Sequence, residues 1–403
     1  MSILQRVLLV RGLRGFADGC ISLVLPFYLI SLGLSALEVG IITTATMLGS
    51  GVVSIGVGFN EHRHGTRVLL CFAALLMSAT GAGFFLWTDF WPLLVIAFVG
   101  TINPSNGDVT LFLPLEHATI AGATESRQRA GAFAKYSLFG SGLGAAGALA
   151  AGFPQWFSTW AGISMQDALK LVFAAYGVLG IVIFFIYRSL PRRTAPPDAV
   201  TRKPLQESRG IVLRLTAVFA LGSFSSGFVA QSMLALWLFQ RFDLPIATAG
   251  GIFFWSGLLS AASYPVAAAL ARRIGAVRTM VYTQIPAIAA LMLVPFMPGL
   301  SMVIALMMAR ALFASMDSPV RSAFVMNTVP ANERAAAASI TTMPKSLAAS
   351  VGPSLSGWML SLSNFGWPLV VAGGIKLVYL FLLFRLFHDV EEQQARKAGT
   401  KPT

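Results

Sequence analysis

About twelve apolar stretches, each near 20 residues long, follow one another along the chain, and nearly every basic residue falls between alternate pairs of them. About 20 consecutive apolar residues carry one helix across the hydrocarbon core of a bilayer, and backbone within lipid must satisfy its own hydrogen bonds. A chain patterned this way folds as a helical membrane protein. Hydrophobic residues make up 56% of its 403 positions and charged residues 11%, too few charges to coat a soluble protein of this length. The pattern predicts spans at 12–33, 39–58, 68–86, 93–118, 130–152 and 168–187, then at 211–239, 247–270, 279–297, 301–328, 335–361 and 368–386. The first span follows Arg6, Arg11 and Arg14 and lacks a small-residue cleavage site at its end. It therefore reads as a retained helix rather than a removable leader.

The formal net charge of +13 is placed by topology. Arg63 and Arg67 follow span 2, Arg127 and Arg129 follow span 4, and Arg188, Arg192, Arg193, Arg202, Lys203 and Arg209 follow span 6. Arg272, Arg273 and Arg278 follow span 8, Arg334 follows span 10, and Arg396, Lys397 and Lys401 close the chain, whereas the opposite loops carry little beyond Lys170 and Arg241. Basic loops stay on the cytoplasmic side, so both termini are expected there, in a multi-pass protein of a bacterial inner membrane. The charge then reports topology and attraction to anionic membrane lipids, and nucleic acid is not an expected partner. Cys20 and Cys71 lie within apolar spans, and His62, His64, His117 and His388 show no metal-ligand spacing. No disulfide framework, metal site or cofactor is expected.

The chain also repeats itself. Residues 188–210 are polar, basic and proline-rich, the composition of an exposed linker. On either side of it, Arg63 matches Arg273, Asp108 matches Asp317, Glu125 matches Glu333 and Lys135 matches Lys345, at separations of 210, 209, 208 and 210 residues. Four charged landmarks in order at nearly one offset indicate duplication. An even number of spans in each copy keeps both copies in the same orientation. The expected architecture is an all-α membrane protein of twelve transmembrane helices in two parallel-repeat six-helix bundles. Its parts are an N-terminal bundle at 1–187, a linker at 188–210, a C-terminal bundle at 211–387 and a tail at 388–403.

The segment Gly58-Phe-Asn-Glu61-His-Arg63-His-Gly65-Thr-Arg67 resembles the loop signature between helices 2 and 3 of the major facilitator superfamily, roughly Gly-x-x-x-Asp-Arg-x-Gly-Arg-Lys/Arg. His62 stands where the family has aspartate, and the acid is displaced to Glu61. The resemblance covers essentially the whole chain and implies a transporter working by alternating access. It makes Gly58, Glu61, Arg63, Gly65 and Arg67, with Arg273 and Gly275 of the second copy, the expected cytoplasmic gate. The run from Asn103 to Ala118 looks like a poorly characterised bacterial subgroup of that family, with His117 in place of glutamine. Gly352-Pro-Ser-Leu-Ser-Gly357 resembles the Gly-Pro-x-x-Gly-Gly element of proton-coupled antiporters, displaced here from helix 5 to helix 11. The glycines of helix 5 itself, Gly140, Gly142, Gly144 and Gly147, are explained by close helix packing.

Ionisable groups at membrane depth are costly and point to function. Asp18, Asp108, Asp317, Lys135 and Lys345 are candidates for proton coupling and charge relay. An Arg14–Asp18 pair at i, i+4 is the structural alternative for Asp18. In helix 4, Pro104 and Gly107 predict a break, tolerable where protein or a water-filled cavity meets the freed backbone groups. Asn103 and Asn106 beside it, together with Gln231 and the mid-membrane Arg310, are candidate substrate contacts, with an ion pair to Asp317 or Asp18 the alternative role for Arg310. No phosphate loop, nucleotide-binding module or catalytic constellation occurs, so an enzyme is not expected and an ion or substrate gradient must supply the energy. The expected activity is proton-coupled export of a drug-like or other small organic compound by a monomer. A carrier of a small organic or inorganic anion using Arg310 is one alternative, and a non-transporting sensor or assembly partner is another.

Overall fold

The computed structural model describes the backbone of residues 2–105, 111–124, 129–191, 208–329 and 333–397. Side chains are described at these positions except 55, 57–64, 121, 129–130, 319, 322–323, 326–327, 334–340, 342–343 and 388–397. Asn106, Asp108, Glu125 and most of the linker thus lie outside the described residues, as do the side chains at Glu61 and Arg63. The helices, in chain order, are α1 (Ile3–Ser31), α2 (Ala36–His64), α3 (Thr66–Leu86), α4 (Phe90–Val99), α5 (Phe112–Ala123), α6 (Arg129–Ala150), α7 (Phe153–Ala161) and α8 (Met165–Arg188). They continue with α9 (Arg209–Phe228), α10 (Gln231–Phe242), α11 (Ile246–Ile274), α12 (Ala276–Leu293), α13 (Leu300–Ala314), α14 (Asp317–Thr328), α15 (Arg334–Leu362) and α16 (Trp367–Lys397). The fold is all-α, and the twelve expected spans each coincide with a helix or with a helix pair.

Helix α1 begins nine residues earlier than the apolar pattern predicts because Ser2 and Gln5 form a capping box. The Ser2 hydroxyl accepts from the Gln5 amide at 3.2 Å, and the Gln5 side chain accepts from the Ser2 amide at 2.8 Å. Arg6, Arg11 and Arg14 consequently ride on the helix, and the last two are buried. Three spans are interrupted. Span 4 breaks between α4 and α5, starting at Gly100, where an added methyl would meet the Ile96 carbonyl and the Thr80 side chain. Span 10 breaks between α13 and α14, and span 7 breaks at Val229–Ala230 between α9 and α10, an interruption the sequence did not predict. Also unpredicted is α7, a short helix opened by Pro154 and closed by Gly162 in left-handed geometry. It displays Phe153, Trp156, Phe157 and Trp160, with Trp160 72% exposed, the aromatic composition of membrane–water interfaces.

The chain forms two compact units, Met1–Ala199 with Ala230–Phe254 and Pro353–Asn364, and Val200–Val229 with Trp255–Gly352 and Phe365–Thr403. In the first, α1 lies against α6 along a glycine seam. A methyl at Gly15 would strike the Gly140 carbonyl, one at Gly19 the Gly144 carbonyl, and one at Gly147 the Phe16 carbonyl. This is the close packing expected of Gly140, Gly144 and Gly147, whereas Gly142 faces open space and is not explained by it. The same unit also holds α2 against the end of α15, with Gly40 facing Pro353 and Gly357, and Ser354 bonded through its amide (3.0 Å) and hydroxyl (2.6 Å) to Thr44 Oγ1. In the second unit, α9 meets α15 where Gly227 faces Ala349 and Gly352. Val212, Phe219, Met280, Phe324, Leu383 and Phe387 fill its core. Gly19 and Gly144 become Gly227 and Gly352 at a common offset of 208 residues, so each unit repeats the same helix contact.

Candidate functional site

The first unit buries a complete charge cluster. The Arg14 guanidinium on α1, 2% exposed, pairs at 2.9 Å with Glu116 on α5, which is 0% exposed. The hydroxyls of Tyr136 on α6 and Tyr187 on α8 both donate to Glu116, and Arg14 lies 3.8 Å from the centroid of the Phe112 ring. Arg11 sits 4.9 Å from the Tyr136 ring. A buried ion pair is tolerable only when its remaining lone pairs are bonded. Glu116 meets that condition by accepting from three donors on three different helices. This corrects the expected i, i+4 pairing of Arg14 with Asp18: the cross-helix carboxylate brings two hydroxyls with it, which Asp18 does not. Asp18 itself is 5% exposed and makes no hydrogen bond or ion pair among the described residues. Arg14 and Arg11 remain in its electrostatic surroundings.

Beside this cluster lies the break in span 4. Asn103, 3% exposed, accepts from the amide (3.2 Å) and hydroxyl (3.0 Å) of Ser105. The Pro104 carbonyl accepts the Ser232 amide at 3.1 Å, so the breaks of spans 4 and 7 meet. Gln231, at the first residue of α10, is half-buried next to them, and the Ser232 hydroxyl is fully buried without a partner. The structure therefore brings Asn103 and Gln231 to one place.

The second unit is arranged differently. Asp317, in the first turn of α14, accepts from Arg321 one turn later, at 2.8 Å from Nε and 2.7 Å from Nη2. Arg310 on α13 makes no ion pair or hydrogen bond among the described residues. The expected pairing of Arg310 with Asp317 is thus replaced by Arg321–Asp317. Arg321 and Lys345 flank the Phe219 ring at 5.5 and 5.9 Å. A further cation, Lys376 of α16, places Nζ 3.5 Å from Ser226 Oγ and 5.1 Å from the Tyr379 ring centroid. Glu333 accepts from the amide (3.1 Å) and hydroxyl of Ser208 at the start of α9. Sequence reasoning missed Glu116 and Lys376 as site residues. Lys376 had a visible signal, a lone lysine within the apolar run from Trp367 to Phe387.

Of the expected gate, Gly65 and Gly275 occupy equivalent turns before α3 and α12, with φ of 72° and 90°. Their backbone region is open essentially to glycine alone. Arg67 is half-buried and Arg273 exposed, while Gly58, Glu61 and Arg63 lie on the α2 backbone. Lys135 is exposed on α6 and has no ion pair among the described residues. Among the described residues no cluster of three His, Cys, Asp or Glu could hold a metal.

The Major Facilitator Superfamily model matches residues 7–300 and again 217–403. The chain belongs to that superfamily. This facilitator is 23% identical over 415 residues to the uncharacterized membrane protein YJR124C of Saccharomyces cerevisiae, spanning 94% of this chain and 92% of the relative. In fold it is similar to a bacterial homolog of the human lysosomal transporter Spinster in an inward-facing and occupied conformation, with a TM-score of 0.77, 16% identity and coverage of 100% and 98% of the two chains. It is also similar to the nucleoside transporter NupG (D323A mutant), with a TM-score of 0.75, 12% identity and coverage of 96% and 100%. Similarity to the human organic anion transporter MFSD10 has a TM-score of 0.64 at 17% identity, covering 94% and 98%. Identities this low show a shared fold. Family and fold are those of a multi-pass membrane transporter of small solutes.

Proposed function

We propose that this facilitator is a proton-coupled exporter of a small organic solute, working by alternating access between its two faces, with Asp18 as the coupling carboxylate. The observation that carries the reading is the contrast between two buried acids of one unit. Glu116 is held by Arg14 and two tyrosines, whereas Asp18, one helical turn beyond Arg14, is bound by none of the described residues. A carboxylate with no cation locked to it takes up and releases a proton at lower cost than one held in an ion pair. Asp317 supplies a second switch in this scheme, since protonating it would release Arg321. The seam of Gly40, Thr44, Ser354 and Gly357 serves as the closed gate on the side away from the basic loops. Release at this seam, beside the Gly-Pro element of α15, opens the opposite face.

The arginine-rich loops support cytoplasmic termini, and the family resemblance of residues 103–118 supports a bacterial inner membrane. In inside-out vesicles an imposed pH gradient is expected to drive uptake from a panel of labelled organic solutes. Asp18→Asn should abolish that drive while solute counterflow persists. Gradient-driven uptake undiminished in Asp18→Asn would remove Asp18 from the coupling step. A second reading, carriage of an organic anion, is favoured by Arg310 having no carboxylate partner among the described residues. The organic anion transporter among the structural neighbours is consistent with it.

A further inference from the structure

The second unit holds more cations at membrane depth than its carboxylates neutralise. Arg321 is matched by Asp317. Arg310 and Lys376 form no ion pair with a carboxylate among the described residues. Their depths agree. Arg310 lies ten residues into α13 and Lys376 nine residues into α16, which at about 1.5 Å per residue puts both roughly 14–15 Å from the helix start. That is the middle of a hydrocarbon core about 30 Å thick. Arg310, Arg321 and Asp317 lie within electrostatic range of Lys376, and α13 and α16, which carry Arg310 and Lys376, both pack against α12. Ser226 Oγ lies 3.5 Å from the ammonium, and the Tyr379 hydroxyl, on a residue 1% exposed, has no hydrogen-bond partner among the described residues. Arg310 and Lys376 are both half-buried, and ionisable side chains at this depth face a bundle interior or a water-filled cavity.

We propose that Arg310 and Lys376 form a two-point site for the oxyanion of an organic substrate, a carboxylate or a phosphate. This rests on the transporter reading above and names its substrate class. Arg310 offers a planar fork that fits two oxygens, and Lys376 offers a point charge on the same group. Tyr379 and Ser226 supply neutral ligands, and the bound anion provides the counter-charge that the protein lacks. Arg321, engaged by Asp317, stands outside the site until Asp317 lets it go.

The test is thermal unfolding of the purified full-length protein with a panel of small probes: inorganic phosphate, glycerol 3-phosphate, succinate and benzoate, against uncharged glycerol and cationic choline. At least one oxyanion is expected to raise the midpoint saturably, and the phosphate and carboxylate arms show which chemistry the site takes. Arg310→Gln and Lys376→Gln should each weaken that apparent affinity at least ~10-fold, about 1.4 kcal/mol. Lys376→Arg and the remote Lys170→Ala should stay within ~3-fold, as their charge is kept or lies elsewhere. Equal stabilisation by glycerol, no response to any oxyanion, or unchanged affinity in both glutamine variants overturns the proposal.

A second measurement does not depend on those variants folding well. With Cys20 and Cys71 replaced by serine, Ser226→Cys should react faster with an anionic than with a cationic methanethiosulfonate, and the preference should fall in Arg310→Gln. An equal preference in the two backgrounds also overturns it. Gradient-driven export of oxyanions that survives undiminished in both glutamine variants would sink the anion site and leave the transporter reading intact. Loss of gradient drive in Asp18→Asn with oxyanion binding retained would separate the two in the other direction.

Discussion

The charge clusters of the two units use the same residue types to different ends. Around Glu116, which is 0% exposed, charge and acceptors are complemented by one guanidinium and two tyrosine hydroxyls. Around Lys376 one ion pair is complete and two cations stand over. Saturation of the acceptors, more than burial or sequence position, separates a charge that holds helices together from one kept available for something else. The sharpest way to break this comparison is to remove one member from each cluster. Glu116→Ala strands a buried guanidinium and should cost about 3–5 kcal/mol of stability. Arg310→Ala removes a cation that has no partner among the described residues, so without ligand its stability should match or exceed that of the parent protein. Midpoints of thermal or denaturant unfolding in detergent would decide, and similar losses for both would mean that Arg310 is as structural as Glu116.

The glycine seams make the opposite point, because here the two units agree. Gly19 against Gly144 and Gly227 against Gly352 are one contact used twice. An alanine at Gly19 or at Gly227 pushes a methyl into a backbone carbonyl that cannot rotate away, and forced overpacking costs about 1–3 kcal/mol. The two losses should agree within about 0.5 kcal/mol if the duplication extends to the packing of these helices. A large loss at Gly19 with none at Gly227 would confine the repeat to the sequence.

The helix-5 glycines of this seam were legible in the sequence, as were the spans, a break in helix 4 and the special place of Gly65 and Gly275. All of these are local: apolar run length, a proline, a backbone angle only glycine tolerates. The partner of Arg14 was not legible. Helical spacing offers Asp18, four residues on, while Glu116 is 102 residues away and reaches Arg14 only once α1, α5, α6 and α8 are assembled. The break at Val229–Ala230 escaped notice for a similar reason. It carries no proline, and its freed Ser232 amide is satisfied by the Pro104 carbonyl of another span.

The repeat-matched lysines give the mildest and most discriminating comparison. Lys135 and Lys345 occupy equivalent sequence positions 210 residues apart, yet Lys135 is exposed while Lys345 is half-buried with its ammonium 5.9 Å from the Phe219 ring. An exposed lysine without a partner is nearly neutral to stability, so Lys135→Ala should change it by less than about 0.5 kcal/mol. Lys345→Ala gives up a partly desolvated cation–π contact and should cost about 1 kcal/mol. Unfolding midpoints of the two variants measure this directly, and transport initial rates in the same variants give a second comparison. If Lys135→Ala matches Lys345→Ala in both, the lysines act as an equivalent pair and duplication has preserved their roles. If only Lys345 matters, the second copy has kept its lysine for the cation-rich unit, and the asymmetry of charge between the copies, built on a symmetric glycine frame, is what gives this transporter its polarity.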